Sequence, residues 1–205
     1  MSINEFFDKI YCINLDERVD RWEQAQKEFD KLNVKGVKRF SAIKHTNGAL
    51  GCRESHLNII KEAKQLGLKN VLIFEDDLLV VEEEHDIESA LTQLPTLEWE
   101  LFYLGATVDP NVGRLTLVTP NIVSTNFAYT THAYAINHTM FDFILQHAPY
   151  APIIDVFYCQ HIVPRGRTYI INPLLCIQQA SYSDIENHHA DYWWMLDLFN
   201  KGLGK

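Results

Sequence analysis

Hydrophobic and polar positions follow two different periods along the first part of the chain. Ile10, Tyr11, Cys12 and Ile13 lie within Lys9–Leu15, a short run rich in β-formers that predicts a buried strand. Val19, Trp22, Ala25, Phe29 and Leu32 then recur at helical spacing, with Asp16 as the expected N-cap. Val37–Ile43 reads as a second strand. In the segment after it, Leu50, Leu57, Ile60, Ala63 and Leu66 form the inward stripe of a helix stopped at Gly67. "NVLIFED" is a third strand. Strand, helix, strand, helix, strand is the order of an α/β domain with a parallel sheet and helices packed on it.

The remainder is less regular. A helix is expected over His85–Leu94, a strand over Trp99–Gly105, and turns with short β segments across 106–130. Thr131–Asn137 is a strand leading into the helix "HTMFDFILQHA", and another helix runs through "IIDVFYCQHIV". Two short strands flank Pro173, and the C-terminal stretch forms a helix or lid. Trp193 and Trp194, beside Met195, Leu196, Leu198 and Phe199, read as core or interface positions. No repeat, low-complexity tract or flexible linker divides the chain, so residues 1–205 are expected to form one domain.

Composition narrows the function. At 205 residues and 47% hydrophobic, the chain can bury a full core. The 18 basic residues are outnumbered by 27 acidic ones, for a formal net charge of -9. That balance argues against a nucleic-acid partner and against electrostatic attachment to an anionic membrane. Cys12, Cys52, Cys159 and Cys176 have neither zinc-site nor C-x-x-C spacing and read as free thiols. The N-terminus lacks the pattern of a signal peptide, and no apolar run is long enough for a transmembrane segment. The expectation is a soluble, cytoplasmic protein.

The chemistry concentrates in "KNVLIFEDDLLVV". Glu75, Asp76 and Asp77 follow four apolar residues and precede four more. Carboxylates ~5 Å apart at an effective dielectric of ~20 repel by roughly 3 kcal/mol per pair. A solvated turn would relieve this, but the apolar residues on both sides argue that the chain stays in the core. The remaining remedies are a raised pKa or a bound divalent cation. In open α/β sheets, ligands bind beyond the carboxyl ends of the strands, where this triplet falls.

Six segments in order carry a resemblance to a known family: "YCINLDERVDRWE", "GCRESHLNIIKEA", "LIFEDDLLV", "THAYAIN", "IIDVFY" and "QQASYSDIE". Together they resemble glycosyltransferase family 25, which contains bacterial lipopolysaccharide galactosyltransferases and collagen galactosyltransferases. The family usually carries Glu two residues before the Gly-Cys pair, where this chain has Ala49. The resemblance implies a GT-A-like fold, a Rossmann-like mixed sheet with helices on both faces. It also implies metal-dependent, inverting transfer of a hexose, galactose foremost, from a UDP-sugar to a hydroxyl of a glycan acceptor. The cofactor would be Mn²⁺ or Mg²⁺.

Residue by residue, the resemblance makes Asp77 the direct metal ligand, Asp76 a contact to ribose or metal-bound water, and Glu75 an orienter behind them. Asn14, Arg18 and Arg21 would meet the nucleotide and its phosphates, with an ordinary exposed helix face as the alternative for the arginines. Ser55 and His56, early in the second helix, are placed with the nucleotide-sugar or as structural residues. Thr131, His132 and Tyr134 line the sugar site or belong to a plain strand. Asp155 would be the general base or a helix N-cap. Asp184 would close over the diphosphate, and His189 would complete the metal shell unless it sits in an exposed loop. Two rivals stand beside this reading. One is a nucleotidyltransferase, disfavoured because "NLDERVDR" has no glycine. The other is a catalytically inactive nucleotide-sugar- or metal-binding domain within a larger assembly.

Overall fold

The computed structural model describes residues 1–81, 87–183 and 188–204, without the side chains of 181–183 and 188–190. After a short helix α1 (Ile3–Phe6), the chain forms β1 (Ile10–Asn14), α2 (Val19–Lys31), β2 (Lys38–Ser41), α3 (Gly48–Gln65) and β3 (Asn70–Glu75). Next come β4 (Leu78–Val80), α4 (Ile87–Gln93), β5 (Leu101–Thr107), β6 (Leu115–Thr119), β7 (Ile122–Thr125) and β8 (Tyr129–Asn137). The last elements are α5 (Phe141–His147), α6 (Ile154–His161), β9 (Thr168–Ile171), β10 (Cys176–Gln178), β11 (Ser181–Ser183), β12 (His188–Ala190) and α7 (Trp194–Gly202). His85 and Asp86, expected to begin the helix that contains α4, lie outside the described residues.

Eight strands form one mixed sheet in the order β2-β1-β3-β8-β5-β9-β7-β6. β2, β1 and β3 run parallel, as the sequence predicts, and β8 then inserts antiparallel between β3 and β5. Strand alternation distributes side chains to two cores. Tyr11, Ile13, Val71, Ile73, Tyr103 and Tyr134 pack against residues of α3, α5, α6 and α7 on one face. Ile10, Cys12, Leu72, Phe74, Phe102 and Ala135 pack against residues of α1, α2 and α4 on the other. The result is an α/β fold of GT-A-like, Rossmann-like type with helices on both faces of a mixed sheet.

Local expectations fail where partners come from far along the chain. Asp16 does not cap α2, which starts at Val19 after Arg18. Its carboxylate instead accepts from Ser41 Oγ at 2.9 Å and pairs with Arg39 at 2.9 Å. Val19 and Leu66, expected inward, are exposed. Trp193 and Trp194 are 53% and 44% exposed, because Met195 and Phe199 are the residues that dock α7. None of the described helices is long and apolar enough to cross a membrane.

One helix face positions the later site. Gly51 lets the loop after β2 approach α3 so closely that a Cβ there would collide with the Ile43 carbonyl oxygen. Ser55, one turn on, accepts from Ile43 N at 2.8 Å and donates to Gly51 O at 2.8 Å. Gly51→Ala should therefore destabilise the protein by about 1–2 kcal/mol, despite the better helix propensity of Ala. A thermal melt checks this, and an unchanged or higher Tm would contradict the docking.

Candidate active site

The acidic triplet forms the turn between β3 and β4, but a solvated turn it is not. Asp76 is buried, and the other two are only partly exposed. β4 pairs antiparallel with β10, and Leu78 is fully buried, so the apolar run after the triplet stays in the protein. All three carboxylates line a cleft of about 410 Å³ at the carboxyl ends of β1 and β3. Its walls include Asn14 from β1, Glu17 from the loop after it, Arg21 from α2, Lys44–Thr46 from the loop entering α3, Gly48 and Cys52 from α3, Gln178 and Tyr192.

The carboxylates have different partners. Asp76 accepts from Asn14 Nδ2 at 2.6 Å and Arg21 Nη1 at 3.2 Å. Burial raises its pKa, with Asn14 and Arg21 opposing. Glu75 Oε1 accepts from Thr131 Oγ1 at 2.6 Å and lies 3.3 Å from His56 Nε2. Burial pushes Glu75 upward, but His56 and Thr131 outweigh it and leave its pKa below the usual value. Because an ionised carboxylate only accepts, His56 donates to Glu75 through Nε2, and its Nδ1 lies 2.7 Å from Tyr134 Oη.

Asp77 is the unsatisfied member. Gln178 Nε2 donates to its Oδ2 at 3.1 Å, while Oδ1 is buried without a partner among the described residues. Burial, then the charges of Glu75 and Asp76, push its pKa up to about 7. A buried carboxylate oxygen without a donor, beside two further carboxylates, suits a hard divalent cation held by oxygen ligands. The residues present therefore fit Mn²⁺ or Mg²⁺.

Other candidates are dispersed. Arg18 does not line the cleft; its guanidinium pairs with Asp20 at 3.0 Å. Ser55 uses its hydroxyl to tie down the loop after β2, and His56, Thr131 and Tyr134 stand behind Glu75 as its support. His132 is fully buried, with Nε2 donating to Cys176 O at 3.3 Å; burial lowers its pKa to about 4 and keeps it neutral. Gly105 makes room for this pair, since a Cβ there would collide with both His132 Nε2 and Cys176 O.

Asp155 is neither an N-cap nor part of the cleft lining. It is the second residue of α6, after the cap residue Ile153, and accepts from Thr130 N at 3.3 Å and Val156 N at 2.7 Å. Burial raises its pKa, and its charge, with those of Glu75 and Asp77, acts on the Cys52 thiol. Asp184 and the His189 side chain lie outside the described residues. Gln178, Arg39 and the Lys44–Thr46 loop went unnoticed in the sequence. Gln178 opens the segment "QQASYSDIE", but nothing local marks it or the others as neighbours of the triplet; strand pairing and the seating of the loop on α3 bring them there.

A family model described as Glycosyltransferase family 25 (LPS biosynthesis protein) matches residues 44–153. The chain is 29% identical over 164 residues to the inactive glycosyltransferase 25 family member 3 of Homo sapiens, covering 63% of this chain and 27% of that protein. It is 26% identical over 233 aligned positions to procollagen galactosyltransferase 1-A of Xenopus laevis, covering 90% of this chain and 38% of that protein. The chain thus spans well under half the length of these curated relatives. Among solved structures, A197 from STIV shares the fold at a TM-score of 0.54 and 13% identity, covering 89% of this chain and 94% of that one.

The raised pKa of Asp77 has a definite sign. A folded-state value of about 7, above the ordinary 3.8, favours the folded protein at low pH, and that stability is lost as pH rises through about 7. With chelator present, Asp77→Asn should therefore gain on the native protein between pH 5 and pH 8, by up to about 2 kcal/mol. Melts of both proteins at pH 5, 6 and 8 check it; a pH-independent difference would refute the electrostatic account of this residue.

Proposed function

The chain belongs to glycosyltransferase family 25, and from that premise we propose that its cleft binds a UDP-sugar with Mn²⁺ or Mg²⁺ and passes the hexose, galactose foremost, to a hydroxyl of a glycan acceptor with inversion. The observation carrying this reading is the unpartnered, buried Asp77 Oδ1 at the end of β3. The charges of the cleft support it. Among the described residues lining the cleft, Glu17, Glu75, Asp76 and Asp77 stand with two Lys or Arg side chains, Arg21 and Lys44, which are bonded to Asp76 and Glu17 respectively. A diphosphate entering this lining meets excess negative charge, and a divalent cation held by Asp77 would offset that conflict.

When bound, the cation supplies neutralisation of the charge that develops on the departing diphosphate. Asp77 would hold it, with His189 as a further candidate ligand. Asp76, braced by Asn14 and Arg21, would meet the ribose or metal-bound water. Gly48, the first residue of α3, puts the positive end of a helix of 18 residues at the cleft wall, which favours an anionic group there. Asp155, with its pKa raised by burial, serves as the base for the acceptor hydroxyl.

A second reading, sugar-nucleotide binding without turnover, has its own support. Both Asp155 oxygens are held by backbone N–H groups outside the cleft lining, and a relative carries "inactive" in its name. Calorimetry with UDP-galactose and UDP-glucose, with Mn²⁺ or chelator, combined with release of UDP, separates the two. Metal-dependent binding with slow UDP release is expected, and binding without any release would favour the second reading. Absence of binding at any metal concentration would overturn both.

Asp77→Asn should lower metal-dependent binding at least 10-fold while the protein still melts cooperatively. Asp155→Asn should leave UDP-sugar binding within about 2-fold and reduce turnover by 10²-fold or more. Full turnover in Asp155→Asn would remove it as the base.

A further inference from the structure

A hydrogen-bonded relay crosses the three parallel strands at the cleft floor. Arg39 on β2 donates from Nε to Asn14 Oδ1 at 2.7 Å, and Asn14 at the end of β1 donates from Nδ2 to Asp76 Oδ2 at 2.6 Å. The polarity of this chain is set by chemistry. A guanidinium can only donate and an ionised carboxylate can only accept, so an amide between them has one satisfied orientation. Its oxygen faces Arg39 and its NH₂ group faces Asp76. Rotating the amide by half a turn would set NH₂ against guanidinium and oxygen against carboxylate.

Asn14 is fully buried, so water cannot repair the reversed state. Its Nδ2 also donates to Arg18 O at 2.9 Å, which agrees with the same orientation. Arg39 is itself pinned from the far side by Asp16 at 2.9 Å, and its guanidinium lies 5.8 Å from the Trp22 ring centroid. It does not line the cleft, whereas Asn14 and Asp76 do.

We propose that Arg39 is a positioning residue of the nucleotide and cation site, locking the Asn14 amide so that Asp76 is held from β1 while Arg21 holds its other oxygen. The inference rests on the proposed role of the cleft. With Asp76 clamped at both oxygens, its rotation toward Asp77 is blocked, and Asp77 Oδ1 keeps its open position. Arg39→Met removes the donor and frees the amide to turn. Arg39→Lys keeps one donor that can still reach the amide oxygen.

The test is calorimetry of UDP binding in the presence of Mn²⁺, on the native protein and on Arg39→Met, Arg39→Lys and Asp16→Ala, each with a thermal melt. Arg39→Met should bind 10–100-fold more weakly while still melting cooperatively, the range seen when partners behind metal ligands are removed. Arg39→Lys should recover most of the affinity. Asp16→Ala removes the ion pair of Arg39 while leaving its hydrogen bond to Asn14, and should change affinity less than 3-fold, which separates the relay from a general loosening of the loop. Unchanged binding in Arg39→Met, or an equal loss in Asp16→Ala, would overturn the inference while leaving the functional reading intact. If the native protein fails to bind UDP with Mn²⁺, the functional reading falls first and this inference with it.

Discussion

Like-charge repulsion among Glu75, Asp76 and Asp77, in a turn largely shut off from water, dictates what surrounds the cleft. Three adjacent carboxylates cannot all be ionised there without compensation. Each is treated differently. Glu75 is kept ionised by Thr131 and His56, Asp76 is clamped by Asn14 and Arg21, and Asp77 is left with one oxygen that no described residue satisfies. The asymmetry concentrates the unresolved charge at one atom, the condition under which a bound cation gains most.

The sheet makes that asymmetry possible. β8 lies against β3, bringing Thr131 and Tyr134 to the Glu75 side, while β1 on the other flank of β3 brings Asn14 to Asp76. Behind Glu75 stands a buried line of Tyr134, His56 and Tyr158, whose polar atoms satisfy one another at 2.7 and 3.3 Å. Such networks are costly if incomplete and rigid when complete, so this one holds Glu75 in place without reaching the cleft itself. Gly51 and Ser55 do the equivalent work for the opposite wall, by seating the loop that carries Lys44, His45 and Thr46.

Much of this was legible before any coordinates. Apolar periodicity located β1, α2, β2, α3 and β3 within a few residues, because side-chain spacing is a local property that burial on one face enforces. It was less informative about boundaries. Asp16 looks like a cap, yet the energy of its pairing with Arg39 and Ser41 comes from another strand. Trp193 and Trp194 read as core or interface positions, and the core half of that reading fails because the face of α7 that meets the sheet is set by Met195 and Phe199.

The sequence by itself determined the α/β order, the family, and the location of three carboxylates at a strand end, since each depends on residues within a few positions of one another. Only the tertiary structure decided what those carboxylates do. Asn14 and Asp76 are 62 positions apart and Gln178 and Asp77 are 101 apart. No local pattern encodes such pairings. The same holds for Ser55 and His132, which have the chemistry of ligand-binding groups but spend it on the Ile43 amide and the Cys176 carbonyl. A side chain's chemistry can be read from its letter, but its partner is set by strand order and register, and these emerge only when the two cores close on the sheet.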